Sequence, residues 1–228
     1  MSNWCKNTIL ISGPSEDVSV LYKSLKEYDA EVNSKEKGPW TKLFTISSWI
    51  KDKFSDKLPE FTEEDYELSY SNFINEYYIY IKDNGEALLC IYSRSEWVSR
   101  MYAIVKLIEV GFPKCIIHYL SAEPGTNYYI NTDESGYYFP ERWYYCNYNK
   151  SDYCMSDEFM YKTLINDYAD IIKDNNIVIP TLTDPGQDQI CKLVESLVEF
   201  DEELCVHPFS IGPEYDDKKV DTTESVGG

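Results

Sequence analysis

The chain has 228 residues and a mass of 26.6 kDa, with 43% hydrophobic side chains, 15% aromatic ones and 21 tyrosines. Its 40 acidic residues stand against 21 basic ones, a formal charge of −19. That hydrophobic content suffices for a core and argues against wholesale disorder, and so negative a field argues against binding to nucleic-acid phosphates or anionic membranes.

"NTILIS" (Asn7 to Ser12) reads as a strand able to be buried on both faces, ended by Gly13-Pro14. Pro14 suits the first position of a helix, Glu16 and Asp17 complement its N-terminal dipole, and Gly13 is expected to allow a sharp turn into it. Val18, Leu21, Leu25 and Tyr28 then share one helical face. Residues 29 to 66 are polar and broken by Gly38, Pro39 and Pro59, with a short helix or irregular segment expected within Trp40 to Phe54. Tyr66 to Ile74 looks extended. "YYIYI" (Tyr77 to Ile81), "DNG" and "EALLCIYS" (Glu86 to Ser93) read as a hairpin, and Asn84-Gly85 suits a tight primed turn.

Val98, Met101, Tyr102, Val105 and Ile108 predict a second helix, stopped at Gly111 and Pro113. Lys114 to Leu120 reads as a strand paired with Thr126 to Asn131, and Gly136 precedes a short "YYF" run. This order predicts an α+β sandwich, with helices on one face of a mostly antiparallel sheet. From Ser151 the composition shifts to a helical extension expected to pack on that sandwich. One helix is predicted over Asp157 to Asp174, and a second starts at Thr183-Asp184-Pro185 and carries Ile190, Leu193, Val194 and Leu197. Pro213 to Gly228 has almost no apolar content and reads as a disordered acidic tail.

The opening "NWCKNTILISGP" resembles the start of the YubB-like family of ferredoxin-like proteins, encoded mainly on plasmids and phages. Asn3, Trp4, Cys5, Asn7, Ile11, Gly13 and Pro14 match its N-W-C-x-N-x-L-x-I-x-G-P pattern, and Ile9-Leu10 stands where the leucine is expected. "LSYSNFI" (Leu68 to Ile74) is similar to a second family stretch, although Asn75-Glu76 replaces its Pro-rich turn. Ile91 to Gly136 is similar to a third, with Trp97 just before the helix. The resemblance covers roughly residues 1 to 147. It implies a ferredoxin-like fold and a mobile-element origin, and it brings no established activity. Physically, Trp4 and Cys5 are placed to cap the open end of the sandwich core, and Asn7 to tie its amide to nearby backbone.

No motif rises to a named reaction. The Cys115/His118 and Cys205/His207 pairs lack a surrounding nucleophile signature. Cys146 and Cys154 are too far apart for a zinc knuckle, and Cys191, Cys205 and His207 are loosely spaced. Glu63-Glu64-Asp65 and Asp201-Glu202-Glu203 lack the alternating loop of a calcium site. There is no phosphate-cradling glycine loop. No cofactor, no metal and no turnover are expected.

Two surfaces carry the functional expectation. The first is acidic: Asp188, Glu195, Glu199 and the run Asp201, Glu202, Glu203 face few lysines. Such a surface fits a basic, nucleic-acid-binding host or defence protein, which it would inhibit by presenting carboxylates in place of phosphates. The second is aromatic: Tyr137, Tyr138, Trp143 and Tyr144 crowd one region with only Arg142 among them, as on a sheet that stacks bases or a small ligand. The N-terminus lacks a basic segment followed by an apolar run, no stretch reaches the roughly 20 apolar residues of a membrane helix, and the cysteines number seven. A cytoplasmic protein with reduced thiols is expected.

Overall fold

The computed structural model describes residues 4–34, 44–67, 71–146, 152–179, 186–201 and 204–212. It is a mixed α/β chain in two units. The first ends at Thr132, with Gly212 returning to it; the second is Asp133–Ile211.

In the first unit, β1 (Trp4–Pro14) leads into α1 (Ser15–Ser34). Two shorter helices follow, α2 (Ile46–Phe54) and α3 (Glu63–Glu67), and then β2 (Phe73–Ile81) and β3 (Glu86–Glu96). Next come α4 (Tyr102–Lys106), β4 (Ile116–Glu123) and β5 (Tyr128–Asn131). These strands lie in the order β2-β3-β1-β4-β5, each antiparallel to its neighbour. Ile9 and Ile11 of β1 and Leu89 and Ile91 of β3 point to one face, where Val18, Leu21, Leu25 and Tyr28 of α1 and Trp49 of α2 close the core. Each fully buried large aliphatic side chain there stabilises the fold by about 1.5–3 kcal/mol.

Several expectations are revised. Pro14 closes β1 instead of opening the helix. Gly13 has no left-handed φ; its role is close approach, because a Cβ there would lie 2.7 Å from Cys115 Sγ and 3.0 Å from Cys115 Cα. The β2–β3 turn is not a primed two-residue turn. Among the described residues of the turn only Gly85 is left-handed, at φ 84°, whereas a type I′ turn needs two. Lys82 N donates to Glu86 O at 2.8 Å and Gly85 N to Lys82 O at 3.2 Å, which makes a three-residue loop with glycine at its left-handed position.

The helix predicted from Val98 shrinks to α4 and a π-helical turn, Leu107–Gly111. Trp97 and Arg100 sit at φ 67° and 50°, which breaks helical geometry before Met101. The buried Asn72 holds that loop by donating its amide to Ser99 O at 2.9 Å. Asn7 does more than tie nearby backbone. Its Nδ2 donates to Ser95 Oγ at 3.0 Å on β3, and its Oδ1 accepts from Ser121 Oγ at 2.8 Å on β4. Cys5 is fully buried beside it, whereas Trp4 is half-buried, edge-on to Phe73 with the Arg94 guanidinium 5.0 Å over its ring.

The second unit is not a helical extension. Three short strands form a sheet in the order β7-β6-β8: β6 (Trp143–Cys146), β7 (Asp152–Met155) and β8 (Cys205–Pro208). "YYF" at Tyr137 to Phe139 is not a strand. The single helix expected over Asp157 to Asp174 is two, α5 (Asp157–Asp167) and α6 (Ala169–Asp174), broken at Tyr168. Their apolar sides join α7 (Gln187–Val198) around Trp143, Tyr145, Met160, Leu164, Ile190 and Leu197. The expected start of α7 at Thr183 to Pro185 and the tail from Pro213 lie outside the described residues. Among the described residues no helix is long and apolar enough to cross a membrane.

Candidate interaction surface

The second unit carries 16 acidic and 5 basic residues, a net −11 out of the chain's −19. α7 organises the densest part. Ile190, Leu193 and Leu197 turn inward, which leaves Asp188, Glu195 and Glu199 exposed. There is no basic residue in its last turn. Glu195 and Glu199 therefore stand at the negative pole of the helix dipole, an arrangement that costs a few tenths of a kcal/mol to about 1 kcal/mol in helix stability. Val198 and Phe200 are exposed among them. The patch thus has a row of carboxylates along the outer face of the helix, with apolar side chains exposed near its end.

Not every carboxylate is available. Asp201 is half-buried and accepts from Tyr168 OH at 2.6 Å. Asp167 accepts from Tyr145 OH at 2.8 Å, and Asp157 from Trp143 Nε1 at 2.6 Å. Burial pushes the Tyr145 and Tyr168 phenols up, and their hydrogen bonds to Asp167 and Asp201 push them further. These three aspartates satisfy aromatic donors that the core would otherwise bury unpaired. Glu202 and Glu203 lie outside the described residues.

The aromatic surface expected at residues 137 to 144 needs correction. Trp143 is 1% exposed, a core side chain of β6, and Tyr144, on the other face of that strand, is 4% exposed. Tyr137 is 74% exposed, edge-on to the half-buried Tyr138 at 4.8 Å. Their loop is shaped by the buried Asp133, whose Oδ2 accepts from Tyr138 N at 2.6 Å and Phe139 N at 2.9 Å. An exposed aromatic face does exist, on the first unit's sheet. Tyr78 and Tyr80 of β2 are 47% and 63% exposed, and Tyr78 OH lies 2.9 Å from Tyr92 OH of β3. The "YYIYI" run stands in the sequence as a hairpin arm, and its alternation already separates Tyr78 and Tyr80 from Tyr77 and Ile79.

The Cys205/His207 pair favours neutral forms. Burial pushes the Cys205 thiol up and His207 down, the reverse of what a thiolate–imidazolium pair requires. Cys115 is pushed up to about 11, again by burial first. A cleft of about 510 Å³ in the first unit lies among Pro59, Phe61, Tyr102, Lys106 and Val110. Phe61 stacks on Tyr102 at 5.7 Å there, and Lys106 is paired with Glu109 at 2.5 Å. No protein-family model, curated protein or solved structure matches this chain.

Proposed function

We propose that this chain is a non-enzymatic interaction protein that binds, and so inhibits, a basic nucleic-acid-binding protein. The observation that carries the reading is the end of α7, where Glu195, Val198, Glu199 and Phe200 are all exposed at the helix's negative pole. A basic phosphate-binding groove meets carboxylates there in place of phosphates, and Val198 and Phe200 supply apolar contact. Asp188 extends the acidic field, and so do Glu202 and Glu203, which follow the tyrosine-bonded Asp201 in sequence. Placement in the cytoplasm and origin on a mobile element belong to the same proposal, and the resemblance of the opening motif supports the second. The first unit's strand order supports a ferredoxin-like reading: β1 and β4 flank one another, β3 lies on the other side of β1, and helices connect β1 to β2 and β3 to β4.

The test is kinetic. With a partner isolated by pull-down at low and at high salt, the double change Glu195→Lys with Glu199→Lys slows association about tenfold or more and alters dissociation less. An unchanged association rate, or tight binding of the unmodified protein to single-stranded nucleic acid at physiological salt, overturns the proposal. Exposed Tyr78 and Tyr80 support a second reading, a base- or small-ligand-stacking sheet. Under it Tyr80→Ala abolishes ligand binding, and the α7 changes tighten binding to nucleic acid.

A further inference from the structure

β2 ends the strand order of its sheet. Lys82 N bonds Glu86 O, and the register continues through Tyr80↔Leu88, Tyr78↔Cys90 and Glu76↔Tyr92. Antiparallel pairing alternates, so these residues direct their backbone groups toward β3. The N–H and C=O of Tyr77, Ile79 and Ile81 point the other way. The Phe44–Ile46 stretch covers only the start of this edge: Ile74 N donates to Phe44 O at 2.9 Å, and Thr45 bridges Phe73. Among the described residues no strand pairs with the edge from Tyr77 to Ile81. A long, apolar edge without proline is a template for another strand.

We infer that a second copy of this chain covers it, β2 against β2, as a two-fold dimer centred on Ile79. The sequence of the edge is self-complementary. In an antiparallel pair centred there, Ile79 meets Ile79, Tyr77 meets Ile81, Tyr78 meets Tyr80, and Glu76 meets Lys82. Every outward group of Tyr77, Ile79 and Ile81 gains its partner in this register. Centring on Tyr77 or Ile81 leaves some of them unpaired. The flanking charges have opposite signs, so the two-fold sets each Glu76 carboxylate against the other copy's Lys82 ammonium. Ile81, 57% exposed in one copy, gains an apolar neighbour in Tyr77 of the other. Such an isologous contact closes at two copies and leaves neither β2 edge free to propagate.

Sedimentation equilibrium at about 0.15 M salt tests the pairing at two residues outside the core, the exposed Glu76 and the half-buried Lys82, whose ammonium also lies 3.4 Å from Glu86 of its own copy. The unmodified protein sediments as a dimer. Glu76→Lys sets lysine against lysine, and Lys82→Glu sets glutamate against glutamate, so each alone weakens the dimer about tenfold or more, two pairs being reversed at once. An equimolar mixture of the two variants recovers the dimer, because each copy then offers what the other lacks, and so does the double variant. Recovery on mixing also shows that both variants are folded. A protein that stays monomeric, as when the chain's own residues 35–43 or a different partner fill the edge, overturns the inference. So does a dimer that neither variant weakens.

Discussion

Asn7 joins three strands through one amide: its Nδ2 reaches Ser95 on β3, its Oδ1 takes the Ser121 hydroxyl of β4, and Cys5 Sγ lies 3.4 Å from the same oxygen. The opening motif therefore has a structural account at its polar position as well as at Gly13. Asn7→Ala leaves the Ser121 hydroxyl buried without its acceptor, and it lowers stability by about 1–3 kcal/mol, read as a fall in the urea midpoint. Asn7→Asp keeps the acceptor but buries a carboxylate near Glu123, itself 3% exposed. Burial raises the pKa of such a group, so its deficit is largest at neutral pH and shrinks as falling pH protonates it. A pH-independent deficit in Asn7→Asp would mean that the site is wetter than the structure has it. Residue chemistry of this kind was only half legible: the sequence puts Asn7 at the start of a strand, but its two partners lie 88 and 114 residues away.

At the scale of elements, legibility followed length and regular spacing. α1 was readable because Val18, Leu21, Leu25 and Tyr28 keep helical spacing over three turns, and all four are fully buried. The strands of the second unit were not. β6, β7 and β8 are four residues each, too short for alternation to register, and β8 pairs with β6 from about 60 residues away. Val98 keeps helical spacing by coincidence, while the left-handed Arg100 separates it from α4, which Met101 caps. The acidic surface was legible from composition, but which carboxylates the core consumes depends on where Trp143, Tyr145 and Tyr168 fold. The β2–β3 hairpin supplies the element-scale prediction. A Cβ at Gly85 meets nothing within 4 Å, so Gly85→Ala carries backbone strain alone. At φ 84° that strain costs about 1 kcal/mol. A loss near zero in chemical denaturation would show that the turn changes type to accept the side chain.

For the whole molecule, the −19 charge acts in opposite directions on the two proposed associations. A basic partner is drawn by the carboxylates at the end of α7, and salt screens that attraction. A second copy is repelled by the same net charge, and salt screens the repulsion. The screening length falls from about 30 Å at about 0.01 M salt to about 8 Å at about 0.15 M. Over that range the net charges of two copies cease to sense each other, while the hydrogen bonds and apolar contacts of a β2 edge, being short-ranged, persist. Two surface ion pairs per dimer, worth at most about 1 kcal/mol each, are too weak to reverse this balance. Raising salt is therefore expected to tighten self-association in sedimentation while it slows partner association in stopped-flow. The opposite slopes assign the two events to different forces on different surfaces. If self-association weakens with salt as steeply as partner binding does, attraction between unlike charges holds the copies together, and the acidic end of α7 is the place to seek that contact.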